Sequence, residues 1–235
     1  MRSSALIVET VKKYPELEII DAQKLYKDKF SKVSEQAFYK TISRLSQSGE
    51  VRRLTKGLYY IPKKENVEIS QGNEEKVLQY FLGPTNNKGV IVGSRMYHNQ
   101  RLTNQFPEDI IMYSNNLTQE KRRIGHIVVR RALIRFDKPA VKMIELLDVL
   151  QNYKNISDMN KMQFLQFLKD AAVYYDDKTL DRILSKIRYK KSTLASLEQV
   201  LSYFGIHNTV GQYLNGISNY DSIRMEEWVD PAPPC

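Results

Sequence analysis

A group of polar and cationic side chains lies between residues 34 and 62 of this 235-residue chain. Arg, Lys, Gln, Ser and Tyr can donate hydrogen bonds to base edges or to phosphate oxygens, so the group suits nucleic-acid recognition. Its members are Gln36, Tyr39, Lys40, Ser43, Arg44, Arg52, Arg53 and Lys56. Their spacing separates a helical face, ending at Arg44, from a short basic hairpin that begins at Arg52. We therefore predict that both parts contact double-stranded DNA.

The elements that would position these side chains are indicated by the same stretch. Ser34 is a favourable N-cap residue and Gly49 a favourable helix stop, so a helix is predicted between them. Its buried face is expected to consist of Ala37, Phe38, Ile42 and Leu45. Residues 51–54 and 58–61 predict two strands joined by a basic tip. A capped helix followed by a basic hairpin is typical of the recognition helix and wing of a winged helix-turn-helix.

The residues before Ser34 complete this predicted domain. A helix is predicted over 3–13, with an apolar stripe made of Leu6, Ile7, Thr10 and Val11. A β-prone segment over 17–20 follows, and Asp21 is expected to cap a second helix. We expect residues 1–64 to form a winged helix-turn-helix DNA-binding domain. The alternative is a small packing module whose lysines are only solvated.

Charge and cysteine content narrow the function classes. The chain has 36 Lys and Arg against 27 Asp and Glu, and a formal net charge of +9. Residues 1–66 hold 14 cations and 8 acids, so this segment carries +6 of that charge, which favours a polyanionic partner. The single cysteine, Cys235, excludes an intramolecular disulfide. Without a signal peptide or a long apolar run, we expect a soluble, cytoplasmic protein that does not associate with a membrane.

The remainder of the chain predicts a second domain over residues 73–230. Residues 63–72 are polar and aperiodic and are interpreted as a linker. A mixed α/β part is expected over 73–136, with strands at 90–92, 109–113 and 125–131 and a loop over 114–123. From 138 to 217 the spacing becomes helical and predicts about five helices. The fold class is therefore α+β: an N-terminal winged helix-turn-helix, a small mixed α/β middle unit and a helical C-terminal lobe.

Residues that could support catalysis do not form a recognisable site. Nucleotidyltransferases place a Gly-Ser pair, such as Gly93-Ser94 here, ahead of two carboxylates that bind metal ions. Those two carboxylates must be separated by one residue on a strand, so that both side chains point to the same side. Glu108 and Asp109 are adjacent instead, so their side chains would face opposite sides. The three histidines have no metal-binding spacing, and Asp176-Asp177 is interpreted as the solvated end of a helix. We expect no catalytic residues, no metal and no cofactor.

A second basic stretch lies between residues 121 and 135. It consists of Lys121, Arg122, Arg123, Arg130, Arg131 and Arg135, and no acid interrupts it. Such a surface fits DNA phosphate or an acidic protein partner. An ordinary solvated sheet edge explains the pattern equally well, so the alternatives stay open.

Three segments resemble the AbiEi-type antitoxins of abortive-infection (type IV) toxin–antitoxin systems. The first runs from Ile42 to Leu45, from Gly49 to Leu54 and from Lys56 to Pro62, and is similar to the winged-helix start of that family. Residues 102–107, LTNQFP, are similar to a segment of the family's middle domain. Arg130 to Leu133, followed by Val141 to Leu150, is similar to its strand-to-helix region.

This resemblance implies an antitoxin that takes part in phage defence. Its winged helix would bind inverted repeats in its own promoter as a transcription repressor, with two copies placed on the DNA. Its C-terminal domain would counter a cognate toxin of nucleotidyltransferase type, by contact or through the toxin's target. A winged-helix regulator whose C-terminal domain senses a ligand or dimerises is the alternative. A nuclease with a DNA-binding arm is a third reading, but the chain lacks an acidic cluster for its metal.

Overall fold

The structure, a computed structural model, describes residues 3–63, 74–216 and 219–228. The chain divides into two compact units, residues 1–80 and 81–235. Both α-helices and β-strands are present, with one small sheet in each unit. The predicted linker over 63–72 lies, apart from Lys63, outside the described residues. No helix in the described ranges has the length and apolar character that a membrane span requires.

The N-terminal unit alternates helices and strands. In chain order these are α1 (Ser3–Lys12), β1 (Ile19–Asp21), α2 (Ala22–Leu25), α3 (Glu35–Gln47), β2 (Arg52–Thr55) and β3 (Leu58–Tyr60). Helix α2 continues directly into a π-helical turn, Tyr26–Phe30. The three strands form an antiparallel sheet in the order β1-β3-β2. A further helix, α4 (Glu74–Leu82), crosses the boundary between the two units.

Side-chain caps explain where the helices of this unit begin and end. The carboxylate of Asp21 accepts a hydrogen bond from the Lys24 amide at 3.0 Å, and the Ser34 hydroxyl accepts one from the Ala37 amide at 3.2 Å. Each cap satisfies an amide that has no partner within its helix. Gly49 follows the C-cap of α3 with φ of 76°, a conformation that favours glycine. The caps and the glycine stop confirm the predicted helix boundaries.

Two residues predicted to be buried in this unit are exposed. Leu6 is 48 % exposed, whereas Ile7 and Val11 are buried, so the core contacts a narrower stripe of α1 than predicted. Ala37 is also exposed. Thr41 is buried instead and occupies the core position that was expected for Ala37. The Thr41 hydroxyl donates to the Ala37 carbonyl at 2.9 Å, which satisfies the polar group and permits its burial.

The C-terminal unit places helices on a four-stranded sheet. The strands are β4 (Gly89–Val92), β5 (Ile110–Ser114), β6 (Lys121–Ile124) and β7 (Ile127–Arg131), in the order β4-β5-β7-β6. Strands β5 and β7 are parallel, and the other two pairs are antiparallel. The helices are α5 (Ser94–Asn99), α6 (Lys138–Asn152), α7 (Lys161–Ala172), α8 (Asp177–Leu184) and α9 (Lys191–Tyr203). Helix α6 is the centre of the core, since most of its residues are buried.

Several sequence predictions for this unit are wrong. Residues 121–123, predicted as part of a loop, belong to β6, because a turn at Gly125 with φ of 56° folds this strand onto β7. The expected fifth helix is only a 3-10 turn, Val210–Tyr213, in which a single residue is buried. Asp176 does not end a helix: its carboxylate accepts from the Thr179 amide at 2.8 Å and caps α8.

Candidate nucleic-acid interface

Helix α3 presents one polar face to solvent. Gln36, Lys40, Ser43 and Arg44 are exposed on it. The opposite face is buried and consists of Phe38, Thr41, Ile42 and Leu45. At 1.5 Å per residue, the exposed face from Gln36 to Ser43 is roughly 10 Å long, comparable to the width of a DNA major groove. The local geometry therefore permits these side chains to reach base edges together.

Tyr39 differs from the other predicted contact residues of α3. Its side chain is half-buried, and its ring lies 5.2 Å from the Phe38 ring and 6.3 Å from the Tyr26 ring, between centroids. Burial raises the pKa of the Tyr39 hydroxyl, and the nearby charge of Glu35 raises it further, followed by Asp21 and Tyr59. The hydroxyl therefore stays protonated at neutral pH and can donate a hydrogen bond.

The hairpin separates its two arginines onto opposite faces of the sheet. Arg53 pairs with Tyr59 across the strands, and Arg52 pairs with Tyr60. Because directly opposite residues share a face, Arg53 lies on the face where Tyr59 packs against the helical core. Arg52 lies on the other face and is half-buried, whereas Arg53 is exposed. Of the two arginines, only Arg53 therefore lies on the sheet face that packs against the core containing α3.

The tip of the hairpin is a two-residue turn at Lys56 and Gly57. Gly57 has φ of 82°, which a residue with a side chain rarely adopts. Its carbonyl accepts a hydrogen bond from the Ala22 amide at 2.9 Å, so the tip is attached to the start of α2. This contact holds the exposed Lys56 at a defined position beside the helices.

The cations of this surface are uncompensated. Within the described ranges, no acid forms a salt bridge with Lys40, Arg44, Arg53 or Lys56. Glu50, which follows α3, is held by the Lys12 ammonium at 2.6 Å, and its pKa is lowered by hydrogen bonds from Lys12 and Ser48. Salt bridges between exposed groups contribute little stability, but this one neutralises an acid near the polar face.

The residues that the sequence offered as catalytic candidates form hydrogen bonds within the protein. Asp109 accepts two hydrogen bonds from the Arg123 guanidinium, at 2.6 and 3.0 Å. The Gly93 amide donates to the Asp148 carboxylate at 2.8 Å. The described part of the chain holds no group of three or more His, Cys, Asp or Glu residues that could bind a metal ion.

The sequence interpretation missed two carboxylates on α6. Asp148 accepts a hydrogen bond from the Tyr97 hydroxyl at 2.7 Å, and burial raises the pKa of the Asp148 carboxyl despite this bond. Glu145 is 9 % exposed and pairs with Lys142 at 2.8 Å, but burial still raises its pKa. The available signal was the pair of acids three residues apart within the apolar sequence IELLDVL.

Glu145 also lines a cleft of about 360 Å³ in the C-terminal unit. The cleft is formed by α5, α6, β4 and the turn before β4. Its apolar lining includes Val90, Met96, Phe136 and Val141. One oxygen of Glu145 bonds to Lys142, and the other accepts no hydrogen bond from the described residues. Polar side chains, among them Asn99, Gln100 and Lys138, complete the lining, and a cleft of mixed character with one buried acceptor resembles small-molecule sites in general character.

Comparisons with known proteins add little to this geometry. No family model matches the chain. No curated protein matches it either. Among solved structures, the chain is similar to the RV2827C protein from Mycobacterium tuberculosis, with 15 % identity and a TM-score of 0.40. That alignment covers 87 % of this chain and 77 % of the other.

Proposed function

We propose that the chain is a DNA-binding antitoxin that represses its own operon and counters a cognate nucleotidyltransferase-like toxin. In this proposal the N-terminal unit is a winged helix-turn-helix, with α3 as the recognition helix and the β2–β3 hairpin as the wing. The observation that carries it is the exposed polar face of α3, which bears Lys40 and Arg44 without a salt-bridge partner among the described residues and is followed in the chain by a basic hairpin.

The order of elements supports this assignment of roles. Two helices and a short strand precede α3, a two-strand hairpin follows it, and the strand order is β1-β3-β2. In such an arrangement the exposed side of the capped helix enters the major groove and the hairpin contacts the phosphate backbone. Lys40 and Arg44 can donate to guanine, and Gln36 can bind adenine through its amide.

The antitoxin part of the proposal rests on family resemblance. The residues that carry it are the segments 42–62, 102–107, 130–133 and 141–150, which are similar to AbiEi-type antitoxins. The C-terminal unit would then counter the toxin, by contact or through the toxin's target. No residue of this chain is assigned to toxin contact.

Operator binding is the first test of the proposal. The double variant K40A/R44A should bind the inverted repeat upstream of its own gene at least about tenfold more weakly, because a good base contact is worth ~1–3 kcal/mol. The matched control is Lys13→Ala on α1, whose ammonium already pairs with Glu9 at 2.9 Å. Operator affinity within twofold of the parent chain for the double variant would refute the assignment of α3.

A ligand-sensing transcription regulator is the second candidate, and the cleft beside Glu145 favours it. A downstream gene with a nucleotidyltransferase Gly-Ser and paired-carboxylate pattern would support the antitoxin. If the gene stands alone and a small ligand changes operator affinity in the parent chain but not in Glu145→Gln, the regulator is the better assignment.

A further inference from the structure

Strand β6 forms one edge of the C-terminal sheet, and in the described part of the chain it pairs only with β7. The Arg131 amide donates to the Glu120 carbonyl at 2.8 Å. Residues 120, 122 and 124 are therefore the ones whose backbone groups bond to β7, because bonded and non-bonded pairs alternate in an antiparallel ladder. The N–H and C=O groups of Lys121 and Arg123 point the other way, toward the open edge.

The same edge carries two cations directly opposite each other. Lys121 faces Arg130 in a non-hydrogen-bonded pair, where opposing side chains lie closest. Both side chains are exposed, and neither forms a salt bridge with a described residue. Like charges in this arrangement destabilise a sheet. An anionic group bound beside them would remove that repulsion.

Protection against aggregation does not account for this arrangement. A single charged residue is a common way to block pairing at a sheet edge. Arg123 would serve that purpose, and its charge is already compensated by the two hydrogen bonds to Asp109. The Lys121–Arg130 pair adds repulsion that this protection does not need, and the charge of Arg130 is offset only in part, by the buried Asp148 carboxyl.

We propose that the open edge of β6 binds an extended acidic segment of a partner protein, which adds a fifth strand to the sheet. The outward N–H and C=O groups of Lys121 and Arg123 would form the ladder, as in other cases of strand addition. Acidic residues two positions apart on the segment would share the face of Lys121 and Arg130. A DNA duplex offers phosphates but no backbone groups in strand register, so this edge favours a peptide. The proposal does not depend on DNA binding by the N-terminal unit.

Amide exchange measured by NMR on the full-length chain tests the proposed geometry. The probe is the peptide acetyl-Thr-Glu-Val-Glu-Val-Thr-amide, and the control peptide has Gln in place of each Glu. We expect the amides of Lys121 and Arg123 to gain protection with the acidic peptide. The amides of Arg122 and Ile124 already face β7 and should not change. Equal binding of both peptides, or protection without this alternation, would overturn the proposal.

Two substitutions at one position separate the ladder from the charge. Lys121→Pro removes an N–H that makes no bond to β7, so the sheet should persist while peptide affinity falls at least about tenfold. Lys121→Gln keeps the N–H and removes only the charge, so a smaller loss, about threefold, is expected. A random-sequence DNA duplex that displaces the peptide and shifts Lys121 and Arg130 more strongly would assign the edge to nucleic acid instead.

Discussion

Arg52 and Arg53 are neighbours in the chain, but they lie on opposite faces of the N-terminal sheet. Arg53 is exposed on the face that packs against the helices, opposite Tyr59. Arg52 is half-buried on the other face, opposite Tyr60. The two residues have the same charge but lie on opposite faces and differ in exposure, so they form a pair for testing which face of the hairpin contacts DNA.

We expect Arg53→Ala to weaken operator binding and to reduce the slope of log affinity against log salt by about one. The reason is that loss of one phosphate contact releases one fewer counterion. Arg52→Ala should leave the slope near that of the parent chain. Fluorescence anisotropy with labelled operator DNA at several salt concentrations measures both slopes. Equal slopes for the two variants would contradict the assignment of the helix-facing side to DNA.

Two serines of the α3 region should separate stability from DNA binding. The Ser34 hydroxyl caps α3 by accepting from the Ala37 amide at 3.2 Å, so Ser34→Ala should lower the free energy of unfolding by about 1 kcal/mol. Ser43 is exposed on the polar face, so Ser43→Ala should change that free energy by less than about 0.5 kcal/mol. Urea denaturation measures both changes.

Operator affinity should show the reverse order. Ser43→Ala should weaken specific binding, and Ser34→Ala should leave it nearly unchanged under conditions where the variant is folded. Anisotropy titrations at low temperature and without denaturant make this comparison. If Ser34→Ala weakens binding while Ser43→Ala does not, the exposed face of α3 is not the DNA-reading surface.

Local signals made the helices of the N-terminal unit predictable. Asp21 and Ser34 act on amides three residues away, and Gly49 acts on the turn in which it lies. The exposure of Ala37 was not predictable from such signals. An alanine fits both the core and the solvent-exposed surface. The burial of Thr41 in place of Ala37 depends on how α3 is rotated about its axis against its neighbours.

The C-terminal unit shows where sequence reasoning fails for a physical reason. Strand β6 has no alternating apolar pattern, and only its pairing with β7 makes it a strand. Asp148 lies 55 residues from Gly93 in the sequence, and its carboxylate accepts a hydrogen bond from the Gly93 amide. Neither Tyr97 nor Gly93 carries a local signal for that contact, so the partners of Asp148 could not be predicted, although the apolar sequence around it indicated its burial.

Asp148 should make the chain less stable as pH rises. Because burial raises the pKa of the Asp148 carboxyl above its ordinary value in the folded state, there is a pH range in which the folded chain holds a proton that the unfolded chain has released. That contribution is complete below the unfolded pKa and is lost as pH rises through the folded pKa. Asp148→Asn should therefore reduce the loss of stability between acidic and neutral pH. Urea denaturation across this range measures the slope.

Asp137 provides a control of opposite sign. Burial opposes ionisation of Asp137, but the Arg182 hydrogen bond, the Ala140 amide and nearby arginine charges lower the pKa of its carboxyl. Its stabilising contribution is present above the unfolded pKa and is lost as pH falls through the folded pKa. Asp137→Asn should flatten the acid limb only. A common effect of both variants on the same limb would contradict these environments.

Antitoxic activity and DNA binding should be separable. We expect residues 73–235, expressed without the N-terminal helices and hairpin, to suppress the growth defect caused by the neighbouring toxin gene. Full-length K40A/R44A should also suppress it, because these substitutions change only exposed side chains of α3. Co-expression from separate inducible promoters removes any effect of autoregulation. If the fragment is folded by circular dichroism and neither chain rescues growth, antitoxicity requires the DNA-binding surface itself, and the proposed division of labour fails.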